Sequence, residues 1–108
     1  MGRTNLGELE EQVLLVLLRL GAGVSAIQVA DELAARTGRD ASPATTFMVM
    51  RRLEQRGLLT SHVDAADPAW GGRPRRLYAA NRQAVVPLLR ASRRARLALW
   101  DGLEGLLK

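Results

Sequence analysis

Ser42-Pro43-Ala44-Thr45-Thr46-Phe47-Met48-Val49-Met50-Arg51-Arg52-Leu53-Glu54-Gln55-Arg56-Gly57 is the stretch whose reading decides the fold. Serine before proline opens a helix: the hydroxyl caps an orphan amide, and proline suits a first turn whose N–H is unpaired anyway. Gly57 ends it. Wound as a helix, the segment has two unlike sides. Thr46, Val49, Met50 and Leu53 form an apolar side fit for a core. Ala44, Thr45, Met48, Arg51, Arg52 and Gln55 form the other, small at its beginning and basic further along. Arginines near a helix end also suit the negative end of its dipole, so this face alone does not decide for a partner.

Working outward, Ser25 with Gln28 is a capping-box pattern that opens a preceding helix, with Ile27, Ala30, Leu33 and Ala34 as its inner face and Gly38 as its stop. The link Gly38–Ala41 has the length and glycine content of a helix-turn-helix. An earlier helix runs from Leu6 to Leu20, with Leu6, Leu9, Val13, Leu17 and Leu20 at helical spacing. Glu8, Glu10 and Glu11 sit in its first turn, and Gly21 and Gly23 follow it. Beyond the decisive helix, Leu58–Val63 reads as a strand, 64–74 as a loop and Arg75–Ala79 as the returning strand. A last helix runs from an Asn81 cap toward Lys108. Pro87 either kinks it or marks its true start. Leu88, Ser92, Ala95, Leu99, Leu103 and Leu106 line one face, widened by Leu89, Leu97, Trp100 and Leu107.

Helix, helix, helix, hairpin, helix is a winged-helix order. The fold expected is mainly α with a small β-hairpin: residues 1–80 as a winged-helix DNA-binding domain, and residues 81–108 as a C-terminal dimerisation helix. The chain has 108 residues, 47% of them apolar and 4% aromatic, enough for one compact core built of aliphatic side chains. A domain of this size gains from burying a long apolar helix against a second copy.

The formal net charge is +5, and all 16 basic residues except Lys108 are arginine. Codon usage explains arginine over lysine but not the excess of base over acid, which fits a nucleic-acid partner. With no cysteine and only His62 as histidine, disulfides, thiolate zinc sites and histidine-rich metal sites are excluded, and no cofactor is expected. The longest apolar run, Val13–Leu18, is far too short to span a membrane. No secretion signal is read at the start, and the expected location is the cytoplasm. Nothing suggests an enzyme: no nucleophile beside a histidine, no carboxylate pair and no phosphate loop. Gly21-Ala22-Gly23 follows no strand, so it is a helix stop.

In a helix-turn-helix the second helix enters the major groove with its N-terminal residues near base edges. The expected DNA-contacting residues there are Ser42, Ala44, Thr45, Met48, Arg51 and Arg52. Ser42 and Thr45 offer hydroxyls, Met48 meets a thymine methyl, and the arginines reach phosphate or guanine. Gly72-Arg73-Pro74-Arg75-Arg76 packs three arginines into the hairpin, a basic wing for the backbone or minor groove. Trp70 is read as packing on the body, and His62 and Tyr78 as packing in the wing. Arg90, Arg93, Arg94 and Arg96 read as a solvated face.

Three segments resemble the PadR-type winged-helix regulators. They are Leu6-Gly7-Glu8-Leu9-Glu10 leading into Val13-Leu14-Leu15-Val16-Leu17-Leu18; Arg52-Leu53-Glu54-Gln55-Arg56-Gly57-Leu58-Leu59; and, most specifically, Gly71-Gly72-Arg73-Pro74-Arg75-Arg76-Leu77-Tyr78. The resemblance covers nearly the whole chain. It implies a homodimer on double-stranded DNA, the third helix in the major groove, the wing on the backbone, and repression of nearby genes. The interface would use Leu88, Leu99, Trp100, Leu103, Leu106 and Leu107. Some compact members bind flat aromatic compounds between subunits beside a tryptophan. Trp100 is the residue of that type here, about a turn further along, and the preferred reading makes it an interface anchor. The chain departs from the family pattern at Phe47, where a tyrosine hydroxyl often faces DNA, at Ser25-Ala26, where Tyr-Gly is common, and at Pro87. The competing reading is a winged helix used as a protein-interaction module, though such modules usually lose the basic residues kept here.

Overall fold

The computed structural model describes residues 6–65 and 71–107. Its elements, in chain order, are α1 (Glu8–Leu20), α2 (Ala26–Thr37), α3 (Pro43–Gln55), β1 (Leu59–Asp64), β2 (Arg75–Ala80), α4 (Arg82–Trp100) and a closing 3-10 turn, Glu104–Leu107. This is a winged helix-turn-helix followed by a long helix, as expected.

The helix boundaries follow local chemistry. The Gly7 amide donates to Glu10 Oε1 at 2.8 Å and opens α1. At α2 the capping box is complete: the Ser25 amide donates to Gln28 Oε1 at 2.9 Å, and the Gln28 amide donates to Ser25 Oγ at 3.3 Å. Gly38, at φ 73, takes the left-handed conformation that ends α2 and turns the chain toward α3. Arg39 in that turn donates to Glu8 Oε1 at 2.7 Å, which ties the helix-turn-helix to the start of α1.

One aliphatic core joins these elements. Val13, Leu14, Val16 and Leu17 of α1 pack with Val29 and Leu33 of α2, with Val49, Met50 and Leu53 of α3, with Leu58, Leu59 and Tyr78 of the hairpin, and with Val85 and Leu89 of α4. β1 and β2 pair antiparallel with Ser61 opposite Tyr78 and Asp64 opposite Arg75. Val24 adds a single bridge on the other side of β2, exchanging both backbone bonds with Tyr78.

Several expectations need correction. Ile27 and Ala34 are exposed, because the buried arc of α2 runs through Ala26, Val29, Ala30 and Leu33, to one side of both. Leu20 is exposed at the point where the chain leaves α1, while Leu6 and Leu9 are half-buried against the core. His62 lies exposed on the outer face of β1 and does not pack. The expectation for Trp70 lies outside the described residues.

The last helix differs most. It starts at Arg82 and continues through Pro87, so it does not begin there. Gln83, whose carbonyl loses its helical partner to the proline, is exposed, and water can satisfy it. The Asn81 side chain does not cap α4; it donates instead to the Gly57 carbonyl at 3.2 Å, linking the ends of α3 and the hairpin. The α-helix stops at Trp100. Gly102, at φ 85, breaks it, and the Glu104 carboxylate accepts from the Gly102 amide. Leu103, Leu106 and Leu107 therefore do not continue the helical face of Leu99, as the sequence pattern had suggested. From Arg93 to Trp100 every residue of α4 is exposed, so the helix projects beyond the core.

Candidate nucleic-acid interface

The outer face of α3 is set by its inner one. Thr46, Val49, Met50 and Leu53 are all buried, which seats the helix on the core at four points along its length. The opposite side is then fixed outward: Ser42, Ala44, Thr45, Met48, Arg51, Arg52 and Gln55 are all exposed. Sequence expectation and structure agree residue for residue here.

The N-terminal end is chemically more particular than the sequence suggests. Ser42 Oγ accepts from the Thr45 amide at 3.0 Å and donates its own proton to Thr45 Oγ1, also at 3.0 Å. Ser42 is thus committed to capping. Thr45 Oγ1 accepts that hydrogen bond, which leaves its own O–H to donate to an external acceptor. Met48 lies one turn further along, 47% exposed, and Phe47 beside it is 37% exposed. Arg51 and Arg52 make no ion pair among the described residues, so their guanidinium groups are available.

The wing lies next to this face. Arg73 is exposed and makes no ion pair among the described residues, while Arg75 is half-buried. Arg76 is held: its Nη1 donates to Ser61 Oγ at 2.9 Å, and the Ser61 hydroxyl donates to Glu54 Oε2 at 2.6 Å. This relay couples β2 through β1 to the end of α3, so wing and helix are positioned together. Sequence reasoning missed it, because only the strand register brings Ser61 between Arg76 and Glu54. Tyr78 is 1% exposed and its hydroxyl has no partner among the described residues. Burial pushes its pKa up, with the Arg76 charge opposing.

The residues expected at a dimer interface lie outside that surface, on α4 and the residues that follow it. Leu99, Trp100, Leu103, Leu106 and Leu107 are exposed, Leu99 at 76% and Leu106 at 79%. Leu88 is half-buried and packs on the chain's own core. Trp100 borders a groove of about 540 Å³ between α1 and α4, floored by Leu15, Leu18, Leu89 and Leu97. Glu11 is buried at its edge, where it accepts from Ser92 Oγ at 2.7 Å and pairs with Arg96. Among the described residues no cluster of metal-ligating side chains occurs, and no helix is long and apolar enough to cross a membrane.

A basic recognition helix carried on a three-helix core beside a hairpin wing defines a class, the winged-helix transcriptional regulators. Comparison with known proteins narrows it. Residues 6–84 match the family model described as penicillinase repressor. A PadR family transcriptional regulator from Eggerthella lenta is similar at 31% identity and TM-score 0.69, covering 94% of this chain and 87% of that one. A PadR-like transcriptional regulator from Bacillus cereus shares the fold at 15% identity and TM-score 0.68, covering 93% and 91%. ZitR from Lactococcus lactis, in a structure with DNA, shares it at 18% identity and TM-score 0.58, covering 96% of this chain and 64% of that one. No curated protein matches the chain. The chain belongs to the penicillinase repressor family by its match over residues 6–84, and its likeness to the Eggerthella lenta protein places it with the PadR family regulators: it is a DNA-binding transcriptional regulator and not an enzyme.

Proposed function

We propose that this regulator is a sequence-specific repressor that binds a palindromic operator as a homodimer. The carrying observation is the division of α3, with four residues anchored in the core and Ala44, Thr45, Met48, Arg51 and Arg52 exposed together on the other side. In this reading Thr45 donates to a base edge or phosphate, Met48 meets a thymine methyl and one of the two arginines reads guanine. Arg73, Arg75 and Arg76 contact phosphates along the flanking backbone and supply much of the affinity. That such a fold engages DNA is supported by the ZitR complex.

Dimerisation follows from α4. Residues 1–80 are the DNA-binding domain in this reading, and residues 81–108 pair two copies. Leu99, Trp100, Leu103, Leu106 and Leu107 are large apolar side chains left exposed within nine residues at the end of the chain, which supports a partner there. A second copy covering it sets two recognition helices about one DNA turn, roughly 34 Å, apart. Trp100 anchors that interface. A flat aromatic effector entering beside Trp100 and altering the pairing of subunits is the regulatory form of the same reading. Quenching of Trp100 fluorescence, absent in Trp100→Phe, tests it.

The deciding experiment selects bound sites from random-sequence duplex DNA at several salt concentrations. The expected result is an enriched palindrome with half-sites about one turn apart. Weak, sequence-blind binding that disappears with modest salt would overturn the reading and favour a protein-interaction module.

A further inference from the structure

The far half of α4 is barely packed on α1. Val85 and Leu89 are its buried residues, and from Arg93 to Trp100 every residue is exposed. Leu15 of α1 and Leu97 of α4 line one groove, yet each stays about half exposed, 47% and 55%. The helix is also weakened where its anchored part ends. Pro87, between Val85 and Leu89, has no N–H for the Gln83 carbonyl, so one rung of the helical ladder is missing there.

What reaches past that point is Glu11. Its carboxylate accepts from Ser92 Oγ at 2.7 Å and pairs with Arg96, both of which lie beyond Leu89. Among the described residues these are the only hydrogen bonds and the only ion pair between α1 and α4. A carboxylate with 11% of its side chain exposed adds little net stability over an apolar residue. What it adds is geometry, because two donors must converge on one acceptor.

Small changes in that geometry are large at the end of the helix. From Leu89 to Trp100 the helix extends roughly 17 Å, at about 1.5 Å per residue. A pivot of about 10° at Leu89 therefore carries Trp100 roughly 3 Å. That is close to the rise of one base pair, about 3.4 Å. In a two-fold dimer the displacement occurs in both copies.

We infer that Glu11 is the positioning residue that sets which half-site spacing this regulator accepts, from a place in α1 outside both the recognition helix and the wing. With two copies joined through the far end of α4, as in the homodimer reading on which this rests, the angle of α4 decides how far apart the recognition helices stand. Glu11 holds that angle through Ser92 and Arg96. Operator selectivity then has two separate sources: base contacts choose each half-site, and Glu11 chooses the distance between them.

The test measures binding of the full chain to palindromes built from one selected half-site, with the spacer varied one base pair at a time. The parent chain should prefer its best spacing about tenfold or more over spacings one or two base pairs away. In Glu11→Ala and in Ser92→Ala that preference should shrink to about threefold or less, and the double variant should go no further than Glu11→Ala. Glu11→Gln keeps an acceptor for Ser92 and should keep part of the preference. Base preferences within the half-site should be unchanged in all of them. A merely structural role would lower affinity at every spacing by one factor, and a preference left as sharp as the parent's would overturn the proposal. If Glu11→Ala does not fold, Ser92→Ala decides.

A second arm needs no DNA. The chain has no cysteine, so Asp31→Cys with Arg94→Cys, both at exposed positions, places one spin label on α2 and one on the far half of α4. Diluted into unlabelled chain, the parent should give one narrow label-to-label distance and Glu11→Ala a broad distribution. Equal widths would overturn the role of Glu11. Sedimentation reads the pairing separately: a monomeric parent would fail the homodimer reading and the spacing claim with it, while the label distances would still decide whether Glu11 holds α4.

Discussion

Ser92 on α4 donates its hydroxyl to the carboxylate of Glu11 on α1 at 2.7 Å, and Arg96 one turn further along pairs with the same carboxylate. Glu11 is 11% exposed in its side chain, at the edge of a groove lined by aliphatic side chains and by Arg90, Arg93 and Arg96. Only Val85 and Leu89 of α4 are buried, both near its beginning. Glu11 therefore fixes the direction in which the rest of α4 leaves the core, and with it the placement of the apolar surface at the far end.

Replacing Glu11 with Ala removes both partners' acceptor and leaves Ser92 half-buried. The expected loss is about 1–3 kcal/mol in denaturant unfolding. Glu11→Gln keeps one acceptor and should recover part of it. Equal stability of Glu11→Ala and the parent chain would show that apolar packing alone seats α4.

Leu103→Glu tests the pairing surface. Leu103 is 45% exposed in one chain and lies beyond the core, so a charge there costs the monomer little. It would be desolvated in a dimer, where removal of an apolar side chain is compounded by burial of a carboxylate. Sedimentation should show a monomer with unchanged helix content, and operator affinity should fall by orders of magnitude. Tight operator binding by a proven monomer would sink the dimer.

How much of this was legible in the sequence varies by element. The two faces of α3 were readable because the helix begins and ends on local signals, Ser42-Pro43 and Gly57, and its buried residues fall on a clean three-and-four spacing. The α2 face was misjudged at Ile27, because an apolar side chain in a first turn satisfies the spacing rule whether or not a neighbour covers it. The end of α4 was misjudged because leucines at 103, 106 and 107 keep helical spacing across Gly102 and Gly105, while the backbone at Gly102 does not. In the wing the arginines were visible as a cluster. That Arg76 is tied through Ser61 to Glu54, and that Ser42 spends its hydroxyl on Thr45, depends on register and rotamers that no residue pattern encodes.

Arg73 and Arg76 should differ. Arg73→Ala removes a guanidinium with no ion pair among the described residues and should weaken binding to all sequences alike, lowering the salt slope by about one unit. Arg76→Ala also releases Ser61 and Glu54, so it should reduce stability as well. Measured across a salt series, a loss with Arg73→Ala confined to one operator sequence would mean that Arg73 reads a base.

Tyr78 is the chain's sole tyrosine, so its ionisation can be followed by phenolate absorbance. Its pKa lies above the ordinary phenol value in the folded state because of burial. A raised pKa means that the folded chain holds this proton more tightly than the unfolded one. Its contribution to stability is complete below the ordinary value of about 10 and is lost as pH rises through the folded value. Unfolding measured by circular dichroism should show stability falling on the alkaline side, and Tyr78→Phe should flatten that fall. An ordinary phenol titration in the folded chain would contradict the buried hydroxyl.

Ser42 and Thr45 offer the sharpest separation of structure from recognition. Ser42 Oγ caps the Thr45 amide, so Ser42→Ala should cost about 1 kcal/mol of stability and weaken DNA binding indirectly. Thr45→Val leaves that cap intact and keeps the side-chain shape, so stability should barely change. What it removes is the outward-donating O–H of Thr45, together with the exposed acceptor of the Ser42 hydroxyl. Operator selection with Thr45→Val should therefore relax the preference at one base pair in each half-site, by about 1–3 kcal/mol of discrimination if the donor meets a base edge. A uniform loss across all sequences would place that donor on a phosphate, and base reading would fall to Met48 and the arginines alone.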